Sequence, residues 1–299
     1  MSTISATRRP ATSPAPRRTS RRSPVPRIVW HLVCAALLLI MLYPVVWLLS
    51  MSVKPTTEII GSISIIPKQF APENYTEAFR GLAGVSVWQF LTNSLTVSIL
   101  AVIGNVVACS LAAYAFARLR FRLRAPLFAF MIATIMLPTH VVLIPQYTIF
   151  NHLGLVGTFV PLILPKFLAV DAFFVFLMVQ FMRGLPAELG DAARIDGAGP
   201  IRIFWSVILP LTRPAIITTS IFTFIWTWND FLSQVIYLND PQKYTLPMAL
   251  SLYIDQQSQD SYGAMMAMSV LTLVPIGAFF FAFQRYLVEG VSTSGMGGA

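Results

Sequence analysis

The stretch Glu188–Pro214, ELGDAARIDGAGPIRIFWSVILPLTRP, is a polar island between two long apolar segments. Good helix formers run from Leu189 to Ile195, with Glu188 and Asp191 early, where acids suit the positive end of a helix dipole. Gly197 fits the left-handed turn that ends a helix, and Pro200 suits the first turn of the next one. Ile201, Ile203, Phe204, Val207 and Ile208 supply an apolar side, and Pro210 is expected to break the second helix before the following apolar segment. The spacing predicts a helix–turn–helix lying along a membrane face. Its apolar side suits a partner's groove, with acids and arginines ringing the contact.

The membrane itself is read from composition. The chain is 56% hydrophobic and 11% charged, with a mean hydropathy of +0.70. Soluble domains carry about 25% charged residues. A bilayer core takes roughly 20 apolar residues per helix, and the runs 28–50, 89–117, 125–149, 159–182, 211–237 and 264–287 meet that. The expected fold class is an all-α membrane protein of six transmembrane helices carrying a helix–turn–helix between the fourth and fifth. Barrel strands would alternate over about 10 residues, and no such alternation is seen.

The formal charge of +9 invites a nucleic-acid reading, which the placement of the charges rejects. Arg8, Arg9, Arg17, Arg18, Arg21, Arg22 and Arg27 precede the first run. Arg118, Arg120, Arg122 and Arg124 follow the second, Arg183, Arg194, Arg202 and Arg213 follow the fourth, and Arg285 ends the sixth. The alternate loops hold only Lys54, Lys68, Arg80 and Lys243. This is the positive-inside pattern. It puts both termini and the 188–210 island in the cytoplasm and requires an even number of spans.

Residues 1–27 are Ser, Thr, Pro, Ala and Arg with few large apolar groups, and are expected to be a disordered basic cytoplasmic tail. Arg21-Arg22 does not make an export signal, because the next segment is long enough to span and no small-residue cleavage site follows. The membrane domain is placed at 28–288, with the cytoplasmic loop at 183–214 and a short tail at 289–299. Lys166 and Asp171 fall inside the fourth run, five apart and poorly spaced for a helical pair; Lys166 is expected to snorkel or to serve structure. FIWTWNDFL at 224–232 gathers Trp226, Trp228, Asn229 and Asp230. These suit either an interfacial aromatic belt or a polar wall of a translocation path.

No GxxxxGK[ST] loop occurs, so the chain is expected to hydrolyse no nucleotide itself. His31, His140 and His152 are isolated, Cys34 and Cys109 fall in apolar runs, and neither a metal site nor a disulfide framework is expected. No catalytic cluster stands out.

The island resembles the EAA loop of the permease subunits of bacterial ABC importers. The family pattern is Glu-Ala-Ala, three residues, Gly, nine residues, Ile, one residue, Leu-Pro. Here Asp191-Ala192-Ala193, Gly197, Val207 and Leu209-Pro210 stand at that spacing, with Asp for Glu and Val for Ile. NSLTVSI at 93–99, YAFARLRF at 114–121, LPTHVVLIPQY at 137–147, ARIDGAG at 193–199, LPLTRPA at 209–215 and WNDF at 228–231 are similar to the maltose-permease (MalG-type) branch of carbohydrate importers. The tail from Gly290 lacks that branch's lysine.

The resemblance implies a non-catalytic permease subunit for a sugar. Its partners would be a maltose-permease-like sister, an ATPase dimer that binds ATP and Mg, and an extracytoplasmic sugar-binding protein. Glu188, Asp191, Ala192, Ala193, Asp196, Gly197, Leu209 and Pro210 would form the ATPase-coupling site. Trp226, Trp228, Asn229 and Asp230 would face the substrate path. Permeases for sn-glycerol 3-phosphate or polyols share the same blocks, and a secondary transporter is the rival class.

Overall fold

The structure is a computed structural model that describes residues 25–61, 64–255 and 262–294. Most of the basic tail expected to be disordered lies outside these residues. The chain divides into two units, 1–46 and 47–299. The described part of the first unit belongs to α1 (Val25–Met51). Every side chain from Ile28 to Val46 is exposed. Within Ile28–Met51 an 18-residue stretch reaches a mean hydropathy of 2.7, so such an exposed apolar length belongs in lipid.

In the second unit, α2 (Thr56–Gly61) and α3 (Glu73–Arg80) fold the segment that precedes α4 (Val87–Arg118). A fully buried lysine anchors this segment. The Lys54 ammonium donates to the Ser64 carbonyl and lies 3.6 Å from Glu58. Glu58 also accepts the backbone N–H groups of Lys68 and Gln69 at 3.0 and 3.3 Å. Asn74 on α3 donates to the carbonyls of Ser52 and Lys54 at 3.0 and 2.8 Å.

The third expected span, 125–149, is not one helix. It is split into α5 (Arg124–Thr134) and α6 (Thr139–His152). Pro138 lacks an N–H and disfavours helical backbone at Leu137, so α5 cannot run on through it, and Pro138 itself stands extended as the residue before α6. The fourth run is also interrupted. It comprises α7 (Val160–Ile163), a 3-10 turn at Leu164–Leu168 and α8 (Ala172–Gly184), with Ala169 left-handed at φ 54° between the last two.

The island forms α9 (Glu188–Ile195), then α10 (Pro200–Ile203), a π turn at Phe204–Ile208 and α11 (Leu209–Leu211). α12 (Arg213–Trp228) leaves this run at 76°. The expected break at Pro210 is therefore at Thr212 instead. Pro210 sits in the first turn of α11, where its missing N–H costs nothing. The fifth run stops at Trp228, and α13 (Leu232–Tyr237), a 3-10 turn at Pro241–Lys243 and α14 (Leu246–Asp255) follow. α15 (Tyr262–Ser294) ends the described chain, so the tail expected from 289 begins as helix.

Among the described residues four runs are long and apolar enough to cross a membrane, and a fifth if the bent pair counts as one. Six were expected; the difference is the α5–α6 break, since an 11-residue helix reaches only about 16 Å. The all-helical class holds: among the described residues there is no strand, only an isolated bridge between Leu82 and Val85.

α4 is the central helix. It packs on α8 and α12, and α12 packs on α15. Asn93, Ser94, Ser98, Asn105 and Ser110 are buried along it. A Cβ at Gly104 would stand 2.4–2.8 Å from ring atoms of Phe167, which comes from the interrupted fourth run. Gly104 therefore admits the break. Gly104→Val should lower stability by about 1–3 kcal/mol through overpacking; the thermal midpoint of the purified protein measures this.

The hydrogen bond from the Lys68 backbone, then that from Gln69 and the Lys54 charge, hold the Glu58 carboxyl below its usual 4.5. A group whose pKa is depressed by folding contributes stability above its unfolded pKa and loses it as pH falls. Acidification below about pH 4.5 should thus lower the hydrogen-exchange protection factors of Lys68 and Gln69, taken against the intrinsic exchange rate at each pH, and Glu58→Gln should remove that pH dependence.

Candidate functional site

Two places could carry function, the island and a cavity beside the interrupted helices. At the island, Gly197 has φ +78° and its N–H bonds to the Arg194 carbonyl at 3.0 Å. Ala198 closes the same turn on Ala193 at 2.9 Å. A Cβ at Gly197 would meet nothing within 4 Å, so the sign of φ, not space, selects glycine there.

The island is fastened by the end of α4. The Tyr114 hydroxyl donates to the Pro200 carbonyl at 2.9 Å, and its ring lies 5.1 Å from that of Phe204. Arg118 donates to the carbonyls of Met182 and Leu185 at 2.6 Å each, satisfying the end of α8. Ile203, Phe204 and Ile208 are buried against α4 and α8. The five apolar residues expected to face a partner are thus divided. Three of them hold the island to the bundle and Val207 is half-buried, whereas Ile201 is 76% exposed. Ile195, at 87%, is more exposed still.

Of the expected coupling residues, Glu188, Asp191, Ala192, Asp196, Gly197 and Pro210 are exposed, and Ala193 and Leu209 are half-buried. Asp191 is engaged within its own helix, accepting from Arg194 at 2.8 Å. Both side chains are more than half exposed, and surface pairs of this kind contribute little. Either can be given up to a partner.

The cavity has a volume of about 360 Å³. It is lined by α4 at Val97, α6 at His140 and Leu143, Lys166 of the 3-10 turn, and the end of α12 through to Gln234. Three of the four residues expected on a substrate path meet here: Trp226, Asn229 and Asp230. The fourth, Trp228, is 1% exposed and stacks on Phe224 at 5.4 Å in the core. Trp226 and Trp228 are two residues apart, which puts them on different faces of α12.

Trp226 is half exposed, with Phe174 at 5.1 Å and Phe173 and Phe222 each at 5.9 Å from its ring. Asp230, just before α13, accepts the Ser233 N–H of its first turn at 3.0 Å with one oxygen. Asn229 donates to the Ile225 carbonyl at 2.7 Å. Buried Gln234 accepts the Thr245 hydroxyl.

Lys166 does not snorkel. It forms an ion pair with Asp171 at 2.8 Å, both three-quarters buried. The i,i+5 spacing that fails on a regular helix works because the 3-10 turn and the left-handed Ala169 interrupt the helical geometry between them. Pro165 carried the missed signal: a proline inside an apolar run frees carbonyls and marks a break. His140 was set aside as isolated, and only the fold brings it to the cavity.

This is a bundle of interrupted apolar helices beside a cavity that carries Lys166, Asn229 and Asp230 on its wall, with a polar helix–turn–helix fastened to one end, the construction of a membrane permease. The family described as binding-protein-dependent transport system inner membrane component matches residues 104–293. The chain belongs to that family and is a multi-pass cytoplasmic-membrane permease subunit of an ABC importer.

The sn-glycerol-3-phosphate transport system permease protein of Rhizobium meliloti is 31% identical, over 90% of this chain and 97% of its own length. The arabinooligosaccharides transport system permease protein of Halalkalibacterium halodurans is 32% identical, over 93% and 100%. The diacetylchitobiose uptake system permease protein of Streptomyces coelicolor is 33% identical, over 85% and 83%. A chain of a crystallised bacterial ABC transporter, involved in import of the acidic polysaccharide alginate, shares the fold. Its TM-score is 0.78 at 22% identity, over 92% of this chain and 99% of that one.

Removing one partner of the Lys166–Asp171 pair strands a charge, whereas removing both does not. Lys166→Met and Asp171→Asn should each destabilise the protein by roughly 1–3 kcal/mol, and the double variant by less than their sum. Thermal unfolding of the four proteins completes the cycle.

Proposed function

We propose that this permease imports a carbohydrate, driven by a separate ATPase that docks on the 188–210 island at the cytoplasmic face. The carrying observation is that one side of the island is locked to α4 and α8 while Ile195 and Ile201 stand in the open beside Glu188, Asp191 and Asp196. An apolar pair ringed by acids suits a groove with a basic rim. The positive-inside count supports the orientation, with both termini cytoplasmic.

The ATPase dimer holds ATP and Mg, a sister permease of the maltose-permease type completes the bundle, and an extracytoplasmic binding protein delivers the sugar. Closure of the ATPase dimer moves the island as a rigid body. Its fastening through Tyr114 and Arg118 passes that motion to α4 and α8 and rocks the bundle between inward- and outward-facing states. The cavity beside Trp226, Asn229 and Asp230 is the substrate path in this subunit. Its volume falls within the range of about 300–1,000 Å³ usual for small ligands. The names of the relatives support a carbohydrate, and one of them supports sn-glycerol 3-phosphate as a second candidate cargo.

Gly197→Pro and Asp191→Arg should abolish ATP-driven uptake and reduce ATPase recovery in a pull-down of tagged chain from native membranes. The variants should still reach the membrane at wild-type level. Normal uptake by both, at equal expression, would sink the docking model.

A further inference from the structure

We infer that the cavity beside the interrupted helices selects a neutral, polyhydroxylated ligand over an anionic one, with Asp230 and Lys166 as the contacts that decide it. This rests on the permease reading above and concerns which of its candidate cargoes this subunit accepts.

The inference starts from the charges that face the cavity. The cavity has one ammonium, that of Lys166, one carboxylate, that of Asp230, and one imidazole, that of His140, which adds a hydrogen-bonding group to the wall. The ammonium is already matched by Asp171 at 2.8 Å. A matched pair acts on a ligand as a dipole, whose field falls off faster than that of a free charge. Asp230 has no cation partner among the described residues. A phosphate or carboxylate entering here would therefore meet an unmatched like charge and a cation already taken, in a site where desolvated charge is costly.

Hydroxyl groups fit the same wall well. Asp230 spends one oxygen on the Ser233 N–H, which leaves the other to accept a hydroxyl proton. Asn229 uses its amide N–H on Ile225, which leaves its carbonyl oxygen to accept. An ammonium has three donors, and Lys166 gives one to Asp171, so two remain for hydroxyl oxygens. Trp226, held among three phenylalanine rings and still half exposed on the cavity lining, offers aromatic surface for the apolar side of a sugar ring. Donors, acceptors and a stacking face together match an uncharged sugar.

The test uses the whole complex purified through this chain and set in lipid nanodiscs, with equilibrium binding of radiolabelled probes. Three probes are neutral, maltose, xylobiose and N,N′-diacetylchitobiose, and the fourth is sn-glycerol 3-phosphate. The wild-type complex should bind a neutral probe and bind sn-glycerol 3-phosphate at least tenfold more weakly. Asp230→Asn should weaken the neutral probe about tenfold, the loss expected for a hydrogen bond to a charged group. Asp171→Asn combined with Asp230→Asn, which frees the Lys166 charge, should raise sn-glycerol 3-phosphate binding about tenfold.

Tighter wild-type binding of sn-glycerol 3-phosphate than of every neutral probe would overturn the inference. Unchanged affinity for the neutral probe in Asp230→Asn, or no probe bound by a complex that still takes one up, would overturn it too and move the contacts to the sister subunit. ATP-driven uptake in proteoliposomes keeps the two readings apart. Its complete absence for every probe, in a complex that also lacks an ATPase, would defeat the permease reading rather than the charge selection.

Discussion

A backbone inside a membrane has no water to bond, so every N–H and C=O released by a helix break must find a protein partner. In this chain one continuous helix, α4, supplies many of those partners. Asn93 donates to the carbonyls of Gln242 and Tyr244 at 2.8 and 2.9 Å, and Ser94 accepts the Leu246 N–H at 2.8 Å. Tyr114 and Arg118 take the carbonyls of Pro200, Met182 and Leu185 at the other end. Between them Asn105 donates to Thr223 at 2.7 Å and accepts the Cys109 thiol. The buried polar stripe on α4 is what permits its neighbours to be discontinuous.

Discontinuity in turn makes the site. The break at 164–171 lets Lys166 reach Asp171, and the end of α12 at Trp228 releases Asn229 and Asp230 from a helix surface to a cavity wall. Gly104 makes room for the Phe167 ring beside the first break. A continuous fourth helix would present Lys166 and Asp171 on different faces, each uncompensated. The island is coupled to the same framework, because the helix that holds it through Tyr114 also lines the cavity through Val97. One continuous helix therefore joins the island to the cavity wall.

The membrane class, the helix–turn–helix at the island and the left-handed Gly197 were all readable in the chain, because each depends on local rules: apolar length, dipole-matched acids and the sign of φ. The division of the island's apolar residues was not readable. Ile201 and Ile203 are equally apolar, and only the position of α4 decides that one is buried and the other exposed. Trp226 and Trp228 differ in the same way, since periodicity places them on two faces but does not say which face meets the core.

The sequence alone determined that the chain is a helical membrane protein of the ABC importer permease type, where its basic loops lie and where its polar island falls. The helical membrane class, the basic loops and the island follow from composition and spacing, which survive any packing; the permease type follows from the resemblance of the motifs to that family. Tertiary structure decided where the spans break, that Lys166 pairs with Asp171, and that His140 joins Trp226, Asn229 and Asp230 around one cavity. The reason is geometric. A proline marks a site where a helix can be interrupted, but the direction the chain then takes, and the charges it brings together, depend on which neighbour satisfies the freed backbone.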